Sequence, residues 1–187
     1  MEVSPYFQYL QQVIEGAQFK IEETVNRLIE CIERESHIWI VGNGGSASTS
    51  EHFETDLSFV RYGYGFPKVC ATALTSNSSL ISAIANDIGF EKVFSHQIAR
   101  KAKRGDLCFM ISASGNSANL IDAAITCRNL GIDSICLVGF DGGELMKVVD
   151  YSILVSTEVG KYGPVEDIHL AICHEISSII ASKLIKG

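Results

Sequence analysis

The sequence lacks the features that mark secreted, membrane-spanning and nucleic-acid-binding proteins. Its first 20 residues mix charged and polar side chains, which is not the pattern of a signal peptide. No apolar run approaches the roughly 18 residues that a membrane helix needs. The net charge is −7, so the composition gives no attraction to nucleic acid or to an anionic membrane. We therefore expect a cytoplasmic protein that binds neither.

The sequence also lacks any CxxC pair, although it contains six cysteines. Zinc knuckles need closely spaced cysteines, so the spacing excludes them. A chain of 187 residues is large enough to bury a core without disulfides, and most of the cysteines lie in apolar runs. We expect reduced and mostly buried thiols at Cys31, Cys70, Cys108, Cys127, Cys136 and Cys173.

Strand and helix patterns alternate regularly along the chain. The alternation is typical of an α/β fold in which a parallel sheet carries helices on both faces, a three-layer sandwich. Neither repeats nor linkers interrupt it, so we expect one domain over residues 1–187. The predicted strands are residues 37–41, 69–74, 106–112, 134–138 and 151–155, and the longer predicted helices that follow the first strand are residues 46–60, 91–102, 118–130 and 164–185.

Apolar residues recur at three- and four-residue steps from residue 5 to residue 35. The pattern predicts one long helix, or two helices joined near Gly16. A stripe of this length exceeds what a small sheet covers, so we expect part of it to pack on another subunit. We therefore interpret residues 1–35 as a helical oligomerisation segment.

Two turns rich in glycine and serine each connect a predicted strand to a predicted helix. The first lies in WIVGNGGSASTSEHF, residues 39–53, and the second in LCFMISASGNSANLIDA, residues 107–123. Such turns direct backbone N–H groups and a helix dipole at one point, which suits phosphate. Neither turn contains a lysine, which favours a sugar phosphate over a nucleotide triphosphate and predicts no nucleotide cofactor. Each turn alone could equally be an ordinary helix N-cap.

The sequence resembles the sugar isomerase (SIS) domain family, and within it the sedoheptulose 7-phosphate isomerases. The likeness rests on GNGGSAS and EHF in residues 42–53, AIANDIGFEKVFSHQI at 83–98, ISASGNSANLIDA at 111–123, DGG at 141–143 and EDIHLAICH at 166–174. It implies a flavodoxin-like, five-stranded sheet and a homotetramer with active sites between subunits. It also implies that a ketose phosphate, sedoheptulose 7-phosphate, is converted to an aldose phosphate in heptose biosynthesis.

The resemblance implies the site residues as well. The phosphate-binding serines of the family match Ser46, Ser112, Ser114 and Ser117, and the expected substrate contacts also include Asn43, Gly44, Asp87, Asn116 and Glu166. Asp87 could instead cap its turn, and His169, which matches another family histidine, could face solvent. The family's histidine cluster matches His52 and His174.

The sequence departs from the family at the reacting end and in its phosphate turn. Asp56 replaces a glutamate, Glu166 a glutamine and Ala113 a threonine. An Asp-Arg pair is replaced by Gly163 and Pro164, and the arginine that normally ends the first helix is displaced to Arg61.

His52 and Asp56 lie four residues apart and therefore share a helix face. Glu166 and His174 lie eight apart on the last helix. Two histidines and two carboxylates form a set that binds a divalent metal, so we expect His52, Asp56, Glu166 and His174 to bind one ion, with zinc favoured over iron, manganese or nickel. The alternative is that the carboxylates are surface groups and that His174 is a core residue.

We expect Asp56 and His174 to act as the acid and base of an aldose–ketose isomerisation through a cis-enediol. Two other functions stay open. The protein could isomerise a different sugar phosphate, or it could be a non-catalytic SIS protein that binds sugar phosphates or associates with a replication initiator.

Overall fold

A computed structural model of the chain describes residues 3–17, 19, 21–59 and 68–185. Five parallel strands form one sheet in the order β2-β1-β3-β4-β5. The predicted α/β fold with a five-stranded parallel sheet is therefore confirmed. The strands are β1 His37–Gly42, β2 Cys70–Ala73, β3 Leu107–Ser112, β4 Asp133–Phe140 and β5 Tyr151–Ser156.

Helices cover both faces of the sheet. The helices are α1 Pro5–Gly16, α2 Ile21–Glu33, α3 Gly45–Ser58, α4 Ser78–Asp87, α5 Ser95–Lys101, α6 Ala118–Leu130, α7 Leu145–Val148 and α8 Tyr162–Ile185, with a 3-10 turn at Phe90–Lys92. Side chains of α2, α3 and α8 form one core with alternate strand residues such as Ile40 and Phe109. The other strand residues, Val41 and Met110 among them, pack with α4, α5 and α6. This period-two alternation buries both faces of the sheet.

The apolar stripe at the N-terminus forms two helices, α1 and α2, which separate after Gly16. Helix α2 buries Val25 and Leu28 against the sheet, whereas α1 buries no residue. Helix α1 keeps Phe7 61% exposed and is attached by tyrosine hydroxyls, including a 2.5 Å hydrogen bond from Tyr6 to Asp167. Packing of this segment on another subunit stays a prediction. The assignment of residues 1–187 to a single domain also stays a prediction.

Several predicted boundaries differ from the structure. The helix predicted at residues 91–102 is divided into the 3-10 turn and α5, because Val93 and Phe94 are drawn into the core between them. Helix α8 begins at Tyr162, two residues before the predicted start, since Pro164 in a first turn lacks only an N–H that the helix does not use. The predicted end of the helix at residue 60, the loop that follows and Arg61 lie outside the described residues.

All six cysteines are free thiols, and five of them are buried, Cys70 being half-buried. Burial raises the pKa of Cys31 and of Cys136 to about 12, so both stay protonated at neutral pH. No helix in the described part of the chain has the length and apolar character needed to cross a membrane. The cytoplasmic location stays a prediction.

Candidate active site

The second serine turn lies where β3 ends and α6 begins, at the carboxyl edge of the sheet. Ser112 accepts a hydrogen bond from the Gly115 N–H at 3.0 Å, and Ser114 accepts one from the Asn116 N–H at 3.2 Å. Because both hydroxyl oxygens act as acceptors, each O–H proton is still available to be donated to a ligand. Ser117 occupies the N-cap position of α6 without using its side chain as a cap. The turn therefore presents serine O–H donors at a helix N-terminus, an arrangement that suits an anion.

Asn116, an expected substrate contact, is used to hold this turn together. Its amide nitrogen donates to the Ser114 carbonyl at 3.0 Å, and its amide oxygen accepts from the Glu144 N–H at 3.1 Å. Both ends of the amide are thus hydrogen-bonded within the protein. The geometry gives Asn116 a supporting role in the turn, and its expected contact with substrate, for which one amide proton remains, stays a prediction.

The first turn lies beside the second, at the end of β1. Asn43 and the buried Asn119 exchange two amide hydrogen bonds, of 2.8 and 2.9 Å, which connect the first turn to α6. Sequence reasoning did not single out Asn119, because its partner lies 76 residues away. Gly44 has a φ of 55°, a backbone conformation that favours glycine, and it precedes the first residue of α3.

The two turns line one small pocket of about 180 Å³. Glu166, on α8, points into this pocket toward the first turn, so that a Cβ atom on Gly45 would overlap its carboxylate. A carboxylate at the start of α3 is stabilised by the helix dipole. The lining residues are Asn43, Ser46, Ile111, Ser112, Ala113, Ser114, Ser117, Tyr162 and Glu166.

A second group of polar side chains lies on the outer face of the α3–α8 pair. The Nε2 atoms of His52 and His174 are 3.0 Å apart, and a proton on one ring bonds to the other. The carboxylate of Asp56 lies 3.7 Å from His52 and 3.6 Å from His174. One ligand atom from each of the three residues lies within 4.8 Å of the others. The structure thus brings together both predicted acid–base residues and three of the four predicted metal ligands.

Glu166 is not part of this group, which corrects the expectation that four ligands of one chain meet. Eight residues separate Glu166 from His174, and at 1.5 Å per residue they lie about 12 Å apart along α8. The spacing that suggested a shared face therefore also separates the two side chains by more than two helical turns. Instead, Glu166 lies in the serine pocket.

The remaining sequence candidates lie elsewhere. Asp87 is exposed at the end of α4 and accepts a hydrogen bond from Asn86, away from the lining of the serine pocket. His169 is fully buried, not solvent-facing, and neither ring nitrogen has a hydrogen-bond partner among the described residues. Burial lowers the pKa of His169 to about 4. Burial also raises the pKa of Cys173 far above its ordinary value, which leaves no nucleophilic thiolate beside His174.

A parallel α/β sheet with a serine-lined anion turn at its carboxyl edge is typical of proteins that bind phosphate esters. The SIS domain model matches residues 5–139 of this chain. The phosphoheptose isomerase of Sulfurimonas denitrificans is 34% identical over 185 residues, covering 98% of this chain and 93% of that protein. The chain belongs to the SIS domain family.

Solved structures agree with this assignment. The phosphoheptose isomerase from Francisella tularensis matches with a TM-score of 0.86 and 26% identity, and the match covers 95% of each chain. The phosphoheptose isomerase GmhA from Neisseria gonorrhoeae matches with a TM-score of 0.81 and 28% identity, over 95% of this chain and 93% of that one.

Proposed function

We propose that this protein is an aldose–ketose isomerase that converts sedoheptulose 7-phosphate to a heptose 7-phosphate. The proposal is supported by the relatives above, which carry the name phosphoheptose isomerase. The observation that carries it is the pairing of an anion turn with a group of two imidazoles and one carboxylate. The turn binds the phosphate, which does not react. The imidazoles and the carboxylate move protons at the carbonyl end of the sugar.

The serine turn holds the phosphate. Ser112, Ser114 and Ser117 donate hydroxyl protons to its oxygens, and the first turn of α6 adds its dipole. Binding energy from this distant group positions the carbonyl end of the sugar, which is how remote contacts accelerate a reaction.

Proton transfer is assigned to Asp56 and His174. A base removes a proton from C1 while an acid protonates the C2 carbonyl oxygen, which gives a cis-enediol. The O1 proton then leaves and C2 gains a proton, so that the carbonyl group has moved to C1 and no atom is lost. The buried Oδ2 of Asp56 has no hydrogen-bond partner within the described chain, which leaves it free to accept a proton. His174 shares a proton with His52, so an imidazole can act as the acid.

The three residues also fit a divalent metal ion. Two imidazole nitrogens and an unpartnered carboxylate oxygen converge, and this donor set is typical of zinc sites. His52, Asp56 and His174 would hold the ion in place of the proton that the two imidazoles share, and zinc is the metal that we propose. The acid role of His174 therefore applies to the protein without the ion. When bound, such an ion polarises the sugar carbonyl as a Lewis acid.

A second copy of the chain would complete this active site. The His52–Asp56–His174 group lies about two helical turns along α8 from Glu166, and the described pocket lining includes none of the three. In a homotetramer, the pocket of one copy would face the exposed histidines of another, and exposed apolar residues of α1 such as Phe7 and Ile14 would be covered. A stable monomer in light scattering at micromolar concentration would contradict this assembly.

NMR spectroscopy of sedoheptulose 7-phosphate incubated with the protein tests the proposed reaction. We expect wild type to form the aldose phosphate, and His174→Ala to lose at least about a hundredfold in kcat, as general acid–base catalysis contributes at this level. The control is His96→Ala, which changes a half-buried histidine on α5 outside the His52–Asp56–His174 group and should keep wild-type kcat. Binding of the sugar phosphate without turnover would favour the non-catalytic function instead.

A further inference from the structure

The segment from the last two residues of β4 to the first residue of α7 packs directly on the second serine turn. We call residues 139–145 the brace segment, which contains the DGG motif. Its backbone donates to the serine turn at both ends: the Gly139 N–H to the Ala113 carbonyl at 3.1 Å, and the Leu145 N–H to the Gly115 carbonyl at 2.8 Å. Between them, the Glu144 N–H donates to the Asn116 side chain.

Two glycines, Gly115 and Gly143, permit the close approach of the two segments. A Cβ atom on Gly143 would lie 2.5 Å from the Ser114 carbonyl oxygen, and one on Gly115 would overlap the Gly142 carbonyl oxygen. Real Cβ contacts are never this short, so the backbone would have to move. Gly115 and Gly143 have positive φ values of 64° and 56°, and Gly142, which precedes Gly143, has one of 89°.

The brace segment also reaches the pocket wall. Phe140 has a φ of 52°, which is unusual for a residue other than glycine and is stabilised by its surroundings. Its ring lies edge-on against Tyr162, with ring centres 5.1 Å apart, and Tyr162 lines the serine pocket. Phe140 is buried in a small cluster with Ala113 and Val165. One segment thus supports both the floor and a wall of the pocket.

We propose that the brace segment is a positioning element for phosphate, in which Gly143 and the Glu144 N–H fix the serine hydroxyls before the ligand arrives. Donors that are already in place lose less conformational freedom on binding, so their hydrogen bonds contribute more to affinity. This inference rests on the proposed function only in that it takes a sugar phosphate as the anion.

Gly143→Ala, compared with Gly131→Ala, tests the proposal. Gly131 has a similar φ of 66°, but a Cβ there meets open space, so the control shares the backbone strain without the collision. Titration calorimetry with inorganic phosphate and with sedoheptulose 7-phosphate measures Kd. We expect Gly143→Ala to weaken both by at least about tenfold and Gly131→Ala by less than about twofold. KM should rise in parallel while kcat at saturation stays near wild type, because the His52–Asp56–His174 group is untouched.

A second pair keeps the test decisive if Gly143→Ala does not fold. Glu144 has a φ of −75°, which proline adopts, and proline removes the N–H that Asn116 accepts. Glu144→Pro should raise the Kd for phosphate about three- to tenfold, whereas Glu144→Ala should not change it. If wild type binds neither ligand, the anion site and the proposed function both fall. If wild type binds and both brace variants bind equally well at unchanged Tm, the brace inference alone is overturned.

Discussion

The two serine turns have similar sequences, but only the first has a carboxylate packed directly against its backbone. Each follows a buried strand and begins a helix, and each contributes to the same pocket. At the first turn, the carboxylate of Glu166 already lies against Gly45, at the positive end of α3. At the second turn, Ser112 and Ser114 accept backbone hydrogen bonds and keep their own protons free. A turn motif therefore indicates an anion site only after the side chains facing it are known, and here we propose that the phosphate binds at the second turn.

Serine substitutions give the largest expected difference between the turns. Ser114→Ala and Ser117→Ala should each raise KM for the phosphorylated sugar about ten- to hundredfold, because each loses a charge-assisted hydrogen bond contributing roughly 1–3 kcal/mol. Ser46→Ala, the matched change in the first turn, should raise KM by less than about threefold. Steady-state kinetics of the three variants checks this. An equal or larger effect at Ser46 would reverse the assignment of the phosphate.

Glu166 keeps its position only while α8 stays packed against the sheet. His169 is a buried residue of the same helix, so a pH measurement of stability tests this packing. The pKa of His169 is lowered to about 4 in the folded protein, against an ordinary 6.5. Between these values the unfolded chain takes up a proton that the folded chain does not, so stability falls as pH drops through this window. The loss at pH 5 is about 2 kcal/mol.

Urea denaturation at pH 7 and pH 5 measures this loss. His169→Leu should lose less stability on acidification than wild type, and His96→Gln, at a half-buried site on α5, should lose as much as wild type. Identical acid sensitivity in all three proteins would show that His169 does not titrate in this way.

A smaller effect is expected from Glu166→Gln, which removes the charge from the pocket and keeps the shape. Loss of repulsion toward a phosphate dianion should lower KM about threefold, a change of roughly 0.7 kcal/mol. Glu33→Gln, an exposed carboxylate on α2, is the control for net charge and should leave KM unchanged. A higher KM in Glu166→Gln would show that the carboxylate helps to bind substrate.

Sequence patterns predicted the sheet well because each strand is a continuous apolar run and each helix has its own periodicity. They also predicted that His52 and Asp56 share a helix face, since that relation is local. They did not predict that both ends of the Asn116 amide are occupied, because Glu144 lies 28 residues away, nor that Asn119 links the two turns. The prediction that Glu166 joins the histidine group was wrong for a related reason. The sequence placed Glu166 on α8, but it did not show which residue of α3 the side chain faces.

A crystal structure with sedoheptulose 7-phosphate tests the central claim most directly. We predict phosphate oxygens within hydrogen-bond distance of the Ser114 and Ser117 hydroxyls, with Glu166 still against Gly45. A phosphate at the first turn, with the Glu166 carboxylate displaced from Gly45, would contradict the account.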